Sequence, residues 1–176
     1  MGWVTLLEYS KTGEYTDSAT RQHRQVIPAD TAAVDGTKVR ITIQASTGTS
    51  ATLGGTSIGE STAADDFAVA PTRITWDSGS DTTTITAGQS KMSDETTFAF
   101  NKTKRYLVHQ YQTARNIAYG TSVLLDYWSS DAVDRTMTQS VAFSGPSNAV
   151  YILKFEIYVA DAYQGIFHRS KTISGT

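Results

Sequence analysis

Thr37-Lys38-Val39-Arg40-Ile41-Thr42-Ile43-Gln44-Ala45 alternates one polar residue with one apolar residue along its length. Successive side chains of a strand point to opposite faces, so Val39, Ile41, Ile43 and Ala45 share one face and Lys38, Arg40, Thr42 and Gln44 the other. Tyr151–Val159 repeats the pattern, with Tyr151, Leu153, Phe155, Ile157 and Val159 on one side and Lys154 and Glu156 opposite. A strand with one apolar and one polar face belongs to an antiparallel sheet covered on one side.

Weaker copies occur at Trp3–Tyr9, Arg21–Ile27, Ala51–Ile58, Thr72–Trp76, Thr82–Thr86, Arg105–Tyr111, Thr121–Tyr127 and Met137–Phe143, and a short final strand is expected near Gln164–Arg169. Turn-forming residues separate them: Asp35-Gly36, Gly54-Gly55, Asp77-Ser78-Gly79-Ser80-Asp81, Ala87-Gly88 and Ser144-Gly145-Pro146-Ser147-Asn148. Strands and turns at a spacing of about ten residues predict a sandwich or barrel. Helix is confined to single turns at Ser61–Phe67 and Ser129–Arg135. The fold class expected is therefore all-β, an antiparallel, jelly-roll-like β-sandwich. The 176 residues read as one domain, 1–176, in which residues 145–176 are either integral or an added C-terminal hairpin. The core should include Val39, Ile41, Ile43, Leu53, Ile74, Trp76, Val108, Val123, Leu125, Leu153, Phe155 and Ile157.

Composition narrows the function. The chain has no cysteine, which excludes disulfides, thiolate metal sites and cysteine nucleophiles. A net charge of −2 argues against a nucleic-acid platform. The short basic clusters Arg21–Arg24, Lys102–Arg105 and His168–Lys171 read as solvated faces. No apolar run reaches the ~18 residues of a membrane span, and Met1–Glu14 lacks the layout of a secretory signal. Thr and Ser make up about a quarter of the residues, giving a surface that is polar but weakly charged.

Several pieces carry a resemblance: Arg21-Gln22-His23-Arg24-Gln25-Val26, Gly36-Thr37-Lys38-Val39-Arg40-Ile41, Gly48-Thr49 with Ala51-Thr52-Leu53-Gly54, Ile74-Thr75-Trp76, Thr84-Ile85-Thr86-Ala87-Gly88, Ser93-Asp94 and Tyr106-Leu107-Val108-His109-Gln110-Tyr111. Over about residues 21–112 the chain resembles the non-catalytic, carbohydrate-binding-like β-sandwich that precedes the catalytic domain of some bacterial GDSL/SGNH-type esterases. The resemblance implies a jelly-roll-like sandwich and supplies no catalytic residue. The esterase domain and its Gly-Asp-Ser block are absent, and Thr113–Thr176 departs from the pattern.

Gly55-Thr56-Ser57-Ile58-Gly59 matches the G-x-S-x-G string of a serine nucleophile elbow. That elbow needs a strand-to-helix turn and a histidine base; no amphipathic helix follows Gly59, so a strand bounded by glycines is the favoured reading. His23, His109 and His168 have no metal-ligand spacing. Asp65, Asp66, Asp77 and Asp81 suit a hard cation in type, but they match no calcium loop and sit among turn formers. Asn101-Lys102-Thr103 is a chance glycosylation string. No cofactor, metal or catalytic residue is expected. The aromatics are the better clue to binding. Tyr127-Trp128-Ser129-Ser130-Asp131 reads as a strand running into a loop, and Tyr127, Trp128 and Asp131 are the candidate glycan-binding residues. The polar face of Thr37–Ala45 offers Lys38 and Arg40 with no aromatic beside them.

Two functions fit these features. One is a non-catalytic structural or surface protein of a bacteriophage or phage-like particle (a head decoration, spike or tail component), located in the virion. Its partners would be other virion proteins or further copies of itself, and also a cell-surface glycan. The other is a carbohydrate-binding accessory module of a secreted bacterial esterase or glycoside-active enzyme.

Overall fold

The computed structural model describes residues 1–17, 19–62 and 65–160, apart from the side chains of 123–125. In chain order the strands are β1 (Gly2–Glu8), β2 (Gly13–Asp17), β3 (Arg21–Ile27), β4 (Gly36–Gln44), β5 (Ala51–Glu60) and β6 (Thr72–Arg73). They continue with β7 (Thr83–Ile85), β8 (Ser90–Met92), β9 (Thr96–Phe100), β10 (Tyr106–Ser129), β11 (Ser144–Val150) and β12 (Lys154–Val159). Among the described residues there is no helix, so the turns expected at Ser61–Phe67 and Ser129–Arg135 are not helical. The chain is an antiparallel β-sandwich.

One sheet runs β1-β12-β4, with β8 and β9 sharing the far edge of β4. β12 lies between β1 and β4, with Ile157 opposite both Val4 and Val39. Residues 154–159 therefore form the middle of a sheet and are integral to the sandwich. The second sheet is built on β3. Residues 106–112 of β10 pair with β3 from Ile27 to Arg21, and residues 126–129 pair with it again from Gln25 to Gln22. Because both segments pair with Gln22–Gln25, they must lie on its two opposite edges. The outer edge of 106–114 carries β5, which in turn carries β6 and β7. The stretch between the two passes pairs with β2 and bridges Ala45 through Ile117. Two parallel flanking segments require a crossover of about a dozen residues, which 113–125 provides.

β11 forms the outer edge beyond β10. The sequence reading assigned Ser144–Asn148 to a turn and Met137–Phe143 to a strand; the structure reverses this. Pro146 is tolerated because an edge strand has one row of backbone groups free of the ladder. The chain then crosses between sheets at Tyr151–Leu153. There the buried Gln25 side chain accepts hydrogen bonds from the backbone N–H groups of Tyr151 (3.0 Å) and Ile152 (2.9 Å).

The core lies between the sheets. Val39, Ile41, Ile43, Leu53, Ile74, Trp76, Val108, Leu153, Phe155 and Ile157 are all buried, as the alternation requires. The side chains of Val123 and Leu125, and the strand expected at Gln164–Arg169, lie outside the described residues. Truncating a fully buried aliphatic group loses transfer free energy and leaves a cavity. Ile41→Ala should therefore cost about 2–5 kcal/mol, measured as a lowered urea midpoint with an unchanged slope.

Candidate functional site

β3 reads Arg-Gln-His-Arg-Gln-Val-Ile, yet every residue from Gln22 to Ile27 is buried. It is central in its sheet and covered on both faces. Gln22, Arg24 and Val26 point to one face; His23, Gln25 and Ile27 point to the other.

On the first face the guanidinium of Arg24 is the hub. Its Nε donates to His109 Nδ1 at 3.3 Å. Its Nη atoms donate to the carbonyl oxygens of Asp65 (2.6 Å), Thr138 (2.7 Å) and Gln139 (3.3 Å) and to the Asp66 carboxylate (3.2 Å). Phe67 and Phe143 cover it at 4.4 and 4.9 Å. Arg24 is thus no part of a solvated basic face: it fastens the 65–67 and 138–143 segments onto the sheet. Burial pulls its pKa down to about 10, against the opposing influence of Asp66 and Asp65, and it stays charged at neutral pH. A guanidinium only donates, so His109 Nδ1 must be the acceptor. Nε2–H then donates to Gln22 Oε1 at 3.1 Å. Burial, and next the Arg24 charge, hold His109 well below the ordinary imidazole range.

The same cover explains the G-x-S-x-G string. Ser57 lies inside β5, fully buried, and its hydroxyl donates to the Thr136 carbonyl. A Cβ on Gly55 would collide with Asp134, Thr136 and Arg73, and one on Gly59 with the Phe67 ring. The glycines let the covering segments approach the strand backbone. His109 faces Ser57 across the ladder, but both its nitrogens are engaged. The strand-to-helix turn of a nucleophile elbow is not formed.

The second face opens into a cleft of about 230 Å³ lined by Tyr15, Arg21, His23, Arg115, Trp128, Ser147 and Tyr151. Trp128 stands directly opposite His23 in the ladder and shares its face; at 37 % exposure its indole is partly open to solvent. Tyr127, one residue earlier, stands opposite Arg24 and packs with Val26, Phe67 and Leu107 on the first face. Asp131 is tied to Arg135 and to Val133 N–H, and the Arg135 bond lowers its pKa. Of the three residues singled out from sequence, only Trp128 lines the cleft, because neighbours on a strand face opposite ways. Its other walls come from β2, β3, β10, β11 and the sheet crossover, which no local sequence signal brings together. The His23 ring stacks on Tyr151 at 4.0 Å. Its Nδ1 meets the buried Asp126 carboxylate at 3.0 Å, while Nε2 has no partner. Burial raises the Asp126 pKa, against the pull of His23. Arg115 lies 3.7 Å from the Tyr15 ring and pairs with Asp17.

Elsewhere, three of the four acidic residues considered for calcium are engaged by cations, Asp77 by Lys91, Asp66 by Arg24 and Asp81 by Arg73 at 3.7 Å, while Asp65 gives its backbone carbonyl to Arg24. The outer face of β4 does meet aromatics, contrary to the sequence reading. Trp3 from β1 lies 4.1 Å from Arg40, and Tyr158 from β12 lies 5.4 Å from Lys38. Adjacent strands supplied what β4 itself lacks.

No protein-family model matches this chain, and no curated protein matches it significantly.

The buried His109 has a solution signature. Its pKa is lowered in the folded chain, so the stability it gives is whole above the unfolded value of 6.5 and is lost as the pH falls below it. One proton taken up on unfolding corresponds to about 1.4 kcal/mol per pH unit. His109→Gln keeps an acceptor for Arg24 and a donor for Gln22 but cannot titrate. Urea denaturation between about pH 7 and about pH 5 should therefore show a shallower loss of stability in His109→Gln than in the wild type.

Proposed function

We propose that this chain is a non-catalytic binding module carried on the surface of a bacteriophage or phage-like particle, and that the Trp128 cleft takes one residue of a cell-surface glycan. The cleft carries the reading. A sugar site combines an apolar platform for the ring face with a few polar groups that fix orientation. Here Trp128 is the platform, Tyr15 and Tyr151 add aromatic wall, and His23, Ser147 and Arg21 bring polar atoms to the same space. The volume falls below the roughly 300–1,000 Å³ of a drug-sized site, which suits a single ring.

The Thr/Ser-rich, weakly charged surface favours assembly through many small contacts, with other virion proteins or with further copies of the chain. A module with one shallow site binds weakly, and several copies on one particle raise its avidity. The resemblance of residues 21–112 to the esterase-associated sandwich favours a second setting, in which the same cleft serves as an accessory module of a secreted enzyme. Gene neighbourhood separates the two, since capsid or tail genes favour the first and an esterase domain in frame the second.

The binding reading is checked on a glycan array with an oligomeric sample. Removing one stacking platform worth about 1 kcal/mol lowers each site's affinity about fivefold. Across a multivalent sample, Trp128→Ala should lose most of the retained signal; strong retention unchanged by the substitution overturns the assignment of the site. The non-catalytic half is checked separately: a fluorophosphonate probe should leave Ser57 unlabelled in the folded protein.

A further inference from the structure

We infer that the sugar residue taken by the Trp128 cleft is an acidic one, its carboxylate held by Arg21, its ring face on Trp128 and a ring hydroxyl on His23; this rests on the reading of the cleft as a glycan site. The charge inside the cleft points that way. Its lining includes two arginines and one histidine but no aspartate or glutamate. Arg115 is already neutralised, donating through both Nε and Nη2 to Asp17. The acid next to His23, Asp126, is fully buried beneath it.

Arg21 is different. Among the described residues it makes no ion pair; its Nη1 donates to the carbonyl of Thr20 at 3.0 Å, and its Nε is buried without a partner. A guanidinium N–H left unbonded away from water is costly, and a carboxylate is the group that best satisfies it, its two oxygens matching the fork of Nε and an Nη. Its charged end lies over the Trp128 ring, 5.7 Å from the centroid, so anion holder and platform adjoin.

His23 supplies an independent pointer. Its ring is 2 % exposed and lines the cleft, yet Nε2 has no partner. With Nδ1 engaged by Asp126, Nε2 is left to pair with a hydroxyl, a group that both donates and accepts and so suits either tautomer. Both orphan nitrogens are shut from solvent while the Arg21 guanidinium rests over the Trp128 ring. Binding as inferred draws that guanidinium onto the carboxylate and frees the ring face for the sugar.

The test uses the whole chain in multivalent form against immobilised glucuronate and galacturonate and their neutral counterparts, glucose and galactose. Uronates should be retained about tenfold better than the neutral sugars, the scale of one charged hydrogen-bonded contact. Arg21→Gln should erase that preference, Arg21→Lys should restore it only in part, and Trp128→Ala should weaken uronate and neutral sugar together. Uronate binding should also change the intrinsic fluorescence of the wild type but not of Trp128→Ala. Thermal melts confirm that each variant is folded, and Arg21→Lys carries the comparison if Arg21→Gln is not. Neutral sugars bound as well as uronates, with dependence on Trp128 but not on Arg21, overturn the acidic inference and leave the glycan reading standing. No retention of any sugar, acidic or neutral, on these surfaces or on the broader array overturns both.

Discussion

Four consecutive polar side chains, Gln22, His23, Arg24 and Gln25, are buried on the central strand of a sheet. Burying such groups costs free energy unless each finds a partner, and for the guanidinium the cost is several kcal/mol. That constraint organises the molecule around β3. Its backbone is paired along both edges because β10 passes it twice. Its side chains bind the segments that close the sandwich. Arg24 takes carbonyls from the 65–67 and 138–143 segments, Gln22 accepts from Arg135 N–H, and Gln25 holds the backbone where the chain crosses between sheets. These segments have little regular structure, so side-chain bonds replace the ladder that would otherwise satisfy their backbone groups.

The two faces of β3 reach different ends from similar residues. On the first, Arg24, His109 and Gln22 form a chain of bonds under Phe67 and Phe143. A low-dielectric site that satisfies its donors and acceptors rigidifies its surroundings. On the second, His23 and Asp126 satisfy one another only in part, leaving His23 Nε2 and Asp126 Oδ1 without partners beside a cleft. Such orphans are rare in a native interior. Both faces do structural work, since Gln25 holds the sheet crossover from the second, but the unpaired polar atoms beside a cleft lie on the open face.

Ser57 illustrates how a short string acquires meaning only from its surroundings. The glycines that make it look like a nucleophile elbow are needed because chain segments lie directly on the strand at Gly55 and Gly59. The same three-dimensional fact removes the serine from solvent and gives its hydroxyl a carbonyl partner.

Period-two alternation by itself determined the all-β class, the faces of β4 and β12 and most of the core, since the apolar residues of a half-covered strand must all point one way. It was enough to single out Trp128 as an aromatic close to a strand end. It placed β3 at Arg21–Ile27 but read the Arg21–Arg24 cluster as a solvated face, because polar residues buried by segments distant in sequence look locally like exposed ones, and it misread Ser144–Asn148, because Gly and Pro on an edge strand look like a turn. The tertiary structure alone decided that the strand runs on through Trp128, so that Tyr127 and Trp128 part company, that Asp131 is spent on Arg135, and that His23, Arg21, Tyr15 and Tyr151 share a cleft with Trp128. Those partners lie on strands far apart in sequence, and their meeting depends on ladder register and on the double passage of β10, which are properties of the assembled sheets rather than of any local run of residues.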